Sequence, residues 1–257
     1  MRSSLLAKVQ HEAAGRGLNL FGLVDAARYD ACQPKERRMT WLSPKCGTVL
    51  VLGTGGRSFW ERYASTAGCA GHNEEDAARF ASDGVRAIAT VLTAASIANR
   101  TLVARNPRLG LACLGEAAGF GTISPVSGHL LHPEFGPWIG VRAALLLDGH
   151  PFGPIADASI TDRFQPCCTC SRPCISACPA NVHDGEGHQD LARCGSHRHE
   201  GNCEAVCKSR SACPVGTEHR DGDAEFAHRH AQSLASLQRT YGLGFWRFVP
   251  AFLRRQF

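Results

Sequence analysis

The residues richest in chemistry are cysteines, and nine of the thirteen in this 257-residue chain fall between positions 167 and 213. The stretch reads CCTCSRPCISACPANVHDGEGHQDLARCGSHRHEGNCEAVCKSRSACP, and Cys178 and Cys213 are each followed by proline. In a reducing compartment, thiols this dense and closely spaced are metal ligands or catalytic groups rather than disulfides. An iron–sulfur cube needs four thiolates around one compact centre. The bacterial pattern C-x2-C-x2-C-x3-C-P supplies three to one cluster and sends its fourth to another. Cys167, Cys170, Cys174 and Cys178 give C-x2-C-x3-C-x3-C-P, one residue longer in the middle gap. The proline stops the loop from continuing as a helix.

A second, looser set is Cys194, Cys203, Cys207 and Cys213, with gaps of eight, three and five residues. Crossed ligation places Cys167, Cys170, Cys174 and Cys213 on one [4Fe-4S] cluster and Cys178, Cys194, Cys203 and Cys207 on another. Cys168 is then the spare, because Cys167 preserves the C-x2-C gap. One competing reading is a single cluster with a degenerate second motif. The other is a zinc-stabilised interaction protein, since His183, His188, His197 and His199 lie among the cysteines and zinc favours C-x2-C knuckles with or without an H-x3-5-H pair.

Two glycine-rich stretches are the candidates for a cofactor pocket. Gly53, Gly55 and Gly56 follow an apolar run, and glycine there lets the backbone approach a phosphate or a tetrapyrrole side chain. The plainer reading is a tight turn into residues 59–63, and the full GxGxxG pattern is missing. Gly128 and His129 belong to an irregular segment with five glycines between 119 and 140. His129, His132 and Glu134 are acid–base candidates by location alone, against a structural role in a half-buried loop.

The elements that must position these residues read as an α/β (α+β) body. A helix opens at Ser3 or Ser4, with Leu5, Leu6, Val9 and Ala13 on one face. Strands are expected at 18–25, 47–53, 101–104 and 141–147, with 47–53 covered on both faces. A long helix spans 74–98, with Asn73 as N-cap, Glu74, Glu75 and Asp76 at its positive end, and Phe80, Gly84, Ile88, Leu92 and Ala95 on one face. A short helix follows near 111–118. From 223 onward Phe226, His230, Leu234 and Leu237 recur at helical spacing, and the aromatic end GFWRFVPAFLRRQF is interrupted by Pro250. The domains expected are a body at 1–160 able to hold a cofactor, a ferredoxin-type module at 161–222, and a helical tail at 223–257 packed on the body.

Bulk composition narrows the partners. Apolar content of 44% and charged content of 20% are ordinary, and the formal charge of +5 comes without a basic run suited to nucleic acid. No stretch approaches the roughly 18 to 20 apolar residues of a membrane span, and the N-terminus lacks a signal-peptide core. A cytoplasmic location is the expectation, with a redox partner protein or a small-molecule substrate.

At this point the chain resembles the epoxyqueuosine reductases, with the reductive dehalogenases and ferredoxin-like proteins of similar layout. The twin cysteine motif with Arg193-Cys194 carries the likeness, together with AGFGTISPVSGHLLHPEFGPWIGVRAALLLD ahead of the last strand. The resemblance implies a core like that of the flavin nitroreductases, an appended module with two [4Fe-4S] clusters, and cobalamin in the core receiving their electrons. Residues 119–131 lack the Lys-Asn pair of that family and 62–73 its Asp-Tyr-His stretch, so the cluster motif transfers better than the substrate site. Two functions follow: ferredoxin-type electron transfer to a partner, or a cobalamin- or flavin-dependent reductase wired by its own clusters.

Overall fold

The structure, a computed structural model, describes residues 2–67, 74–104, 106, 109–159 and 162–241. They form two compact units: Met1–Thr122 with Ile139–Phe164, and Ile123–Trp138 with Gln165–Phe257.

The first unit is a mixed α/β body around a four-stranded sheet. In spatial order its strands are Leu20–Asp25, Cys46–Gly55, Ile139–Asp148 and Asn99–Val103, and every neighbouring pair is antiparallel. The two central strands hold runs of fully buried residues, Val49 to Leu52 and Ala143 to Leu147. Such runs need cover on both faces, which is why they lack the alternation of a half-exposed strand. One face packs Leu50, Leu52, Ala143, Leu145 and Leu147 against Val9 and Ala13 of helix Arg2–Gly15 and Val85, Ile88 and Leu92 of helix Glu74–Ala94. Each buried Val, Leu or Ile contributes about 1.5–3 kcal/mol relative to exposure.

The long helix stops four residues earlier than its apolar periodicity suggests. Ser96 takes the left-handed conformation at φ 62°. Its N–H donates to Thr93 O at 2.9 Å, and the Ile97 N–H donates to Leu92 O at 3.0 Å. That is a Schellman closure with serine where glycine is usual, so nothing in the sequence announced it. The expected N-cap, Asn73, lies outside the described residues.

The second unit is built from short pieces that hold the cysteines. Ile123–Trp138 belongs to it rather than to the body in which its position in the sequence would place it. The helix Asp223–Tyr241, expected on the body, docks within this unit on helix Leu191–His199. Gly195 permits the close approach, since a Cβ there would stand 3.3 Å from Leu237 Cβ. Arg198 clamps the pair, donating from Nε to His230 Nε2 at 3.0 Å, from Nη2 to His230 O at 2.6 Å and from Nη1 to Ser233 Oγ at 3.0 Å. The aromatic end, residues 242–257, lies outside the described residues.

Candidate metal centres

Two stretches of the cysteine unit end in the same four residues, Ser176-Ala177-Cys178-Pro179 and Ser211-Ala212-Cys213-Pro214. They also share a conformation. Each follows or closes a one-turn helix, Pro173–Ser176 or Lys208–Ser211, with Ala177 at φ −76°, ψ −13° and Ala212 at φ −78°, ψ −11°. The alanine N–H groups donate to Pro173 O and Lys208 O at 3.0 Å, and the cysteine N–H groups donate to Ile175 O and Arg210 O at 3.2 Å. Proline then removes the next donor and ends the turn. The two helices pack on each other, and Ser209 Oγ donates to Cys174 O at 2.7 Å.

The remaining thiols come from neighbouring loops. Cys167 sits on the 3-10 turn Pro166–Cys168. Cys170 precedes left-handed Arg172, whose N–H donates to Cys170 Sγ at 3.4 Å. Cys194 rides on helix Leu191–His199, whose N-cap Asp190 accepts from the Arg193 N–H at 2.8 Å. Cys203 is itself left-handed at φ 58°, and Cys207 caps the second one-turn helix.

Burial is the main influence on the thiols, and their mutual repulsion adds to it. Burial, followed by Cys167, Cys213 and Cys170, pushes the Cys174 thiol up. Burial also raises Cys213, which Cys167 and Cys170 push further while a backbone donor at Val215 pulls it down. Cys194 is pushed up to about 11, by burial first; Arg198 opposes this, and Cys207 and Cys178 add to it. Cys203 rises through burial, Cys207 and Cys178. Cys167, Cys170, Cys174 and Cys213 line one cavity, Cys194 packs against Cys178, and Cys207 and Cys178 act electrostatically on both Cys194 and Cys203. Cys168 stands apart, exposed, with its Sγ donating to Gln165 Oε1 at 3.3 Å.

Four thiols around one small cavity are the donor set an iron–sulfur cube takes. Crowded thiols resist ionisation by themselves, and bound metal cations reverse that penalty. A cube takes one thiolate per iron, so its four sulfurs stand further apart than the ligands of one tetrahedral ion.

The strap Ile123–Trp138 closes the first set. Cys167, Cys170, Cys174 and Cys213 rim a small cavity with Val126, Leu131 and Pro137 of the strap. Ser124 Oγ accepts the N–H groups of Val126 and Ser127 at 3.2 and 3.0 Å, which leaves its hydroxyl hydrogen for Cys167 Sγ, 3.2 Å away. Gly128 has φ +70°, and a Cβ on it would fall 2.3 Å from Gly187 O. Its glycine character is therefore accounted for by backbone packing on the cysteine unit. His129 sits at the same cavity, with Nδ1 3.1 Å from Ser127 Oγ. Desolvation first, then Arg210 and His183, lowers it to about 3, so the ring is neutral. His132 Nδ1 accepts the N–H groups of Glu134 and Phe135 at 3.0 and 3.2 Å, which is a turn-holding role.

In the body, Gly53 and Gly55 lie inside strand Cys46–Gly55 rather than in a loop after it. A Cβ on Gly53 would meet Phe120 Cε2 at 2.8 Å and Gly140 O at 3.0 Å. The Gly55 N–H donates to Asn19 Oδ1 at 2.8 Å, and Gly55 O accepts from Asn19 Nδ2 at 3.0 Å. Gly56, at φ +59°, makes the turn into helix Ser58–Ala67. Sheet packing and a turn account for these glycines. Asn19 is the residue that sequence reasoning missed, having no motif to mark it.

No family model and no curated protein matches the chain. Solved structures do. An epoxyqueuosine reductase from Bacillus subtilis is similar at TM-score 0.62 and 15% identity, over 88% of this chain and 69% of its own. The epoxyqueuosine reductase from Streptococcus thermophilus gives 0.59 and 16% identity, over 94% and 77%. A reductive dehalogenase whose structure suggests a mechanism for B12-dependent dehalogenation gives 0.51 and 18%, over 88% and 34%. At these identities the likeness is one of fold. The chain has a mixed α/β, epoxyqueuosine reductase-like fold that it shares with the reductive dehalogenases, the group its sequence resembles.

Proposed function

We propose that this protein is an iron–sulfur reductase. Cys167, Cys170, Cys174 and Cys213 hold one [4Fe-4S] cluster, and Cys178, Cys194, Cys203 and Cys207 hold a second. The observation that carries the reading is that Cys213 rims one cavity with Cys167, Cys170 and Cys174 while Cys178 packs with Cys194, so each Cys-Pro cysteine lies with thiols of the opposite motif, as in two-cluster ferredoxins. The reductase neighbours favour a reductase over a free-standing ferredoxin. The clusters supply one-electron carriage when bound. The Ser124 hydroxyl and the Arg172 N–H donate to first-set sulfurs, and such donors help set the potential. Electrons come from a redox partner protein in a reducing, cytoplasmic compartment and leave toward a small-molecule acceptor.

The sequence resemblance implies a nitroreductase-like body. The B12-dependent dehalogenation named for one structural neighbour supports cobalamin, with flavin as the other choice, as the group that would meet the substrate. Gly53 and Gly55 do not favour a cradle for either, because the space beside Gly53 is filled by Phe120 and Gly140 O and the Gly55 N–H and O are both bonded to Asn19. No step is therefore routed through such a group. Absorption spectra with and without added cobalamin and FMN test for it directly.

Anaerobic purification with iron, sulfide and zinc counts tests the central reading. Cys174→Ala is expected to lose one whole cluster and about half the iron, whereas Cys168→Ala keeps both. If Cys168→Ala loses a cluster and Cys167→Ala does not, the assignment at that pair is overturned.

A further inference from the structure

Two arginines line the first thiol cavity, exposed Arg172 and half-buried Arg210. Arg210 stands on the one-turn helix Lys208–Ser211, between Cys207 of the second set and Cys213 of the first. Its side chain is 17% exposed and lines the cavity rimmed by Cys167, Cys170, Cys174 and Cys213. It is held on three sides. Nε and Nη2 donate to Pro137 O at 3.1 and 2.7 Å, the guanidinium carbon stands 4.3 Å from the centre of the Trp138 ring, and Nη1 donates to Asp221 Oδ2 at 3.4 Å. Asp221, 1% exposed, also faces Arg229 Nη1 at 3.3 Å, and Arg229 Nη2 faces Glu225 Oε1 at 3.1 Å. Of these four charged residues only Arg210 lines the cavity.

The network has two cations and two anions, so it adds no net charge to the unit. Buried ion pairs are weak sources of stability, because desolvation offsets their attraction. The network does have polarity, with a cation at the thiol cavity and the carboxylates away from its lining. Burial, with Arg229 next, lowers Arg210 to about 10, so it remains charged at neutral pH. Reducing a [4Fe-4S] cluster by one electron adds one negative charge. A fixed cation nearby, shielded from water, favours that state more than an exposed one would.

We infer that Arg210 is a potential-setting residue whose positive charge raises the reduction potential of the first-set cluster, while Asp221 limits that effect from behind. The inference rests on the iron–sulfur reading above.

The test is an anaerobic dithionite titration followed by electron paramagnetic resonance on the full chain. The first-set signal is the one lost in Cys174→Ala. Arg210→Met is expected to make reduction of that cluster about tenfold less favourable or more, a fall of about 59 mV or more for a one-electron couple. Asp221→Asn is expected to move the midpoint upward, and Arg210→Lys to leave it near the wild-type value. Midpoints that do not move, or move in the same direction in Arg210→Met and Asp221→Asn, overturn the inference. If Arg210→Met loses its iron, Asp221→Asn decides by the sign of its shift. Loss of iron in both, with Arg210→Lys intact, assigns the network to holding the loops and also overturns it. Wild-type protein without iron and sulfide defeats the underlying reading instead, which keeps the two failures distinct.

Discussion

His230 can accept the Arg198 Nε–H only while its ring nitrogen is unprotonated. Burial, and then the Arg198 charge, hold its pKa below the usual histidine value. In the unfolded chain the ring titrates near about 6.5. Below that pH, and above the folded value, the unfolded state binds more protons, so stability falls as the pH drops through this window. The urea midpoint is expected to decrease from pH 7.5 to pH 5.5. In His230→Gln, which keeps an acceptor but cannot titrate, part of that decrease should disappear; an unchanged slope contradicts the role given to this ring. The cysteines were legible in the sequence because thiol chemistry needs repeated residues at short spacing. Asn19, Ser124 and Arg210 were not, because each acts singly on a partner that only folding brings near, as when Asn19 meets Gly55 across 36 positions.

The strap Ile123–Trp138 and the opening helix carry glycines with opposite requirements. The strap's glycines marked a closely approached segment, but a glycine reports that something comes near without saying what, so its place in the cysteine unit was illegible. Gly136 has φ +54°, and a Cβ on it would lie 2.0 Å from Val215 O. Gly136→Ala therefore combines left-handed strain with a backbone clash, and is expected to cost about 1–3 kcal/mol and to lower iron retention. Gly15, at the end of helix Arg2–Gly15, has nothing within 4 Å of a would-be Cβ. Gly15→Ala is expected to be neutral, or to stabilise by up to about 1 kcal/mol. Urea unfolding of the two variants checks the contrast; equal effects would remove the packing argument for the strap. The same limit on legibility explains the long helix. Its stripe through Phe80, Gly84, Ile88 and Leu92 was plain in the sequence, but Ala95, placed on that stripe, is exposed beyond the helix end, which depends on a serine adopting a glycine's conformation.

For the whole molecule, the shift from an apolar, strand-rich first part to a cysteine-rich part and a helical tail was readable as three contiguous stretches. The boundaries were not, because a linear reading assigns contiguous stretches while this chain enters the cysteine unit at 123, returns to the body at 139 and leaves it again after 164. The mixed α/β fold and its reductase relatives agree with the resemblance carried by the cysteine motif. Among the described residues no helix is long and apolar enough to cross a membrane. The central claim is that the two thiol sets are two cluster sites, and one composition measurement addresses it directly. Iron, acid-labile sulfide and zinc, counted per chain on anaerobically purified protein, are predicted to give about eight irons and eight sulfides. Half that iron would remove the second cluster. Stoichiometric zinc without labile sulfide would contradict the account at its foundation.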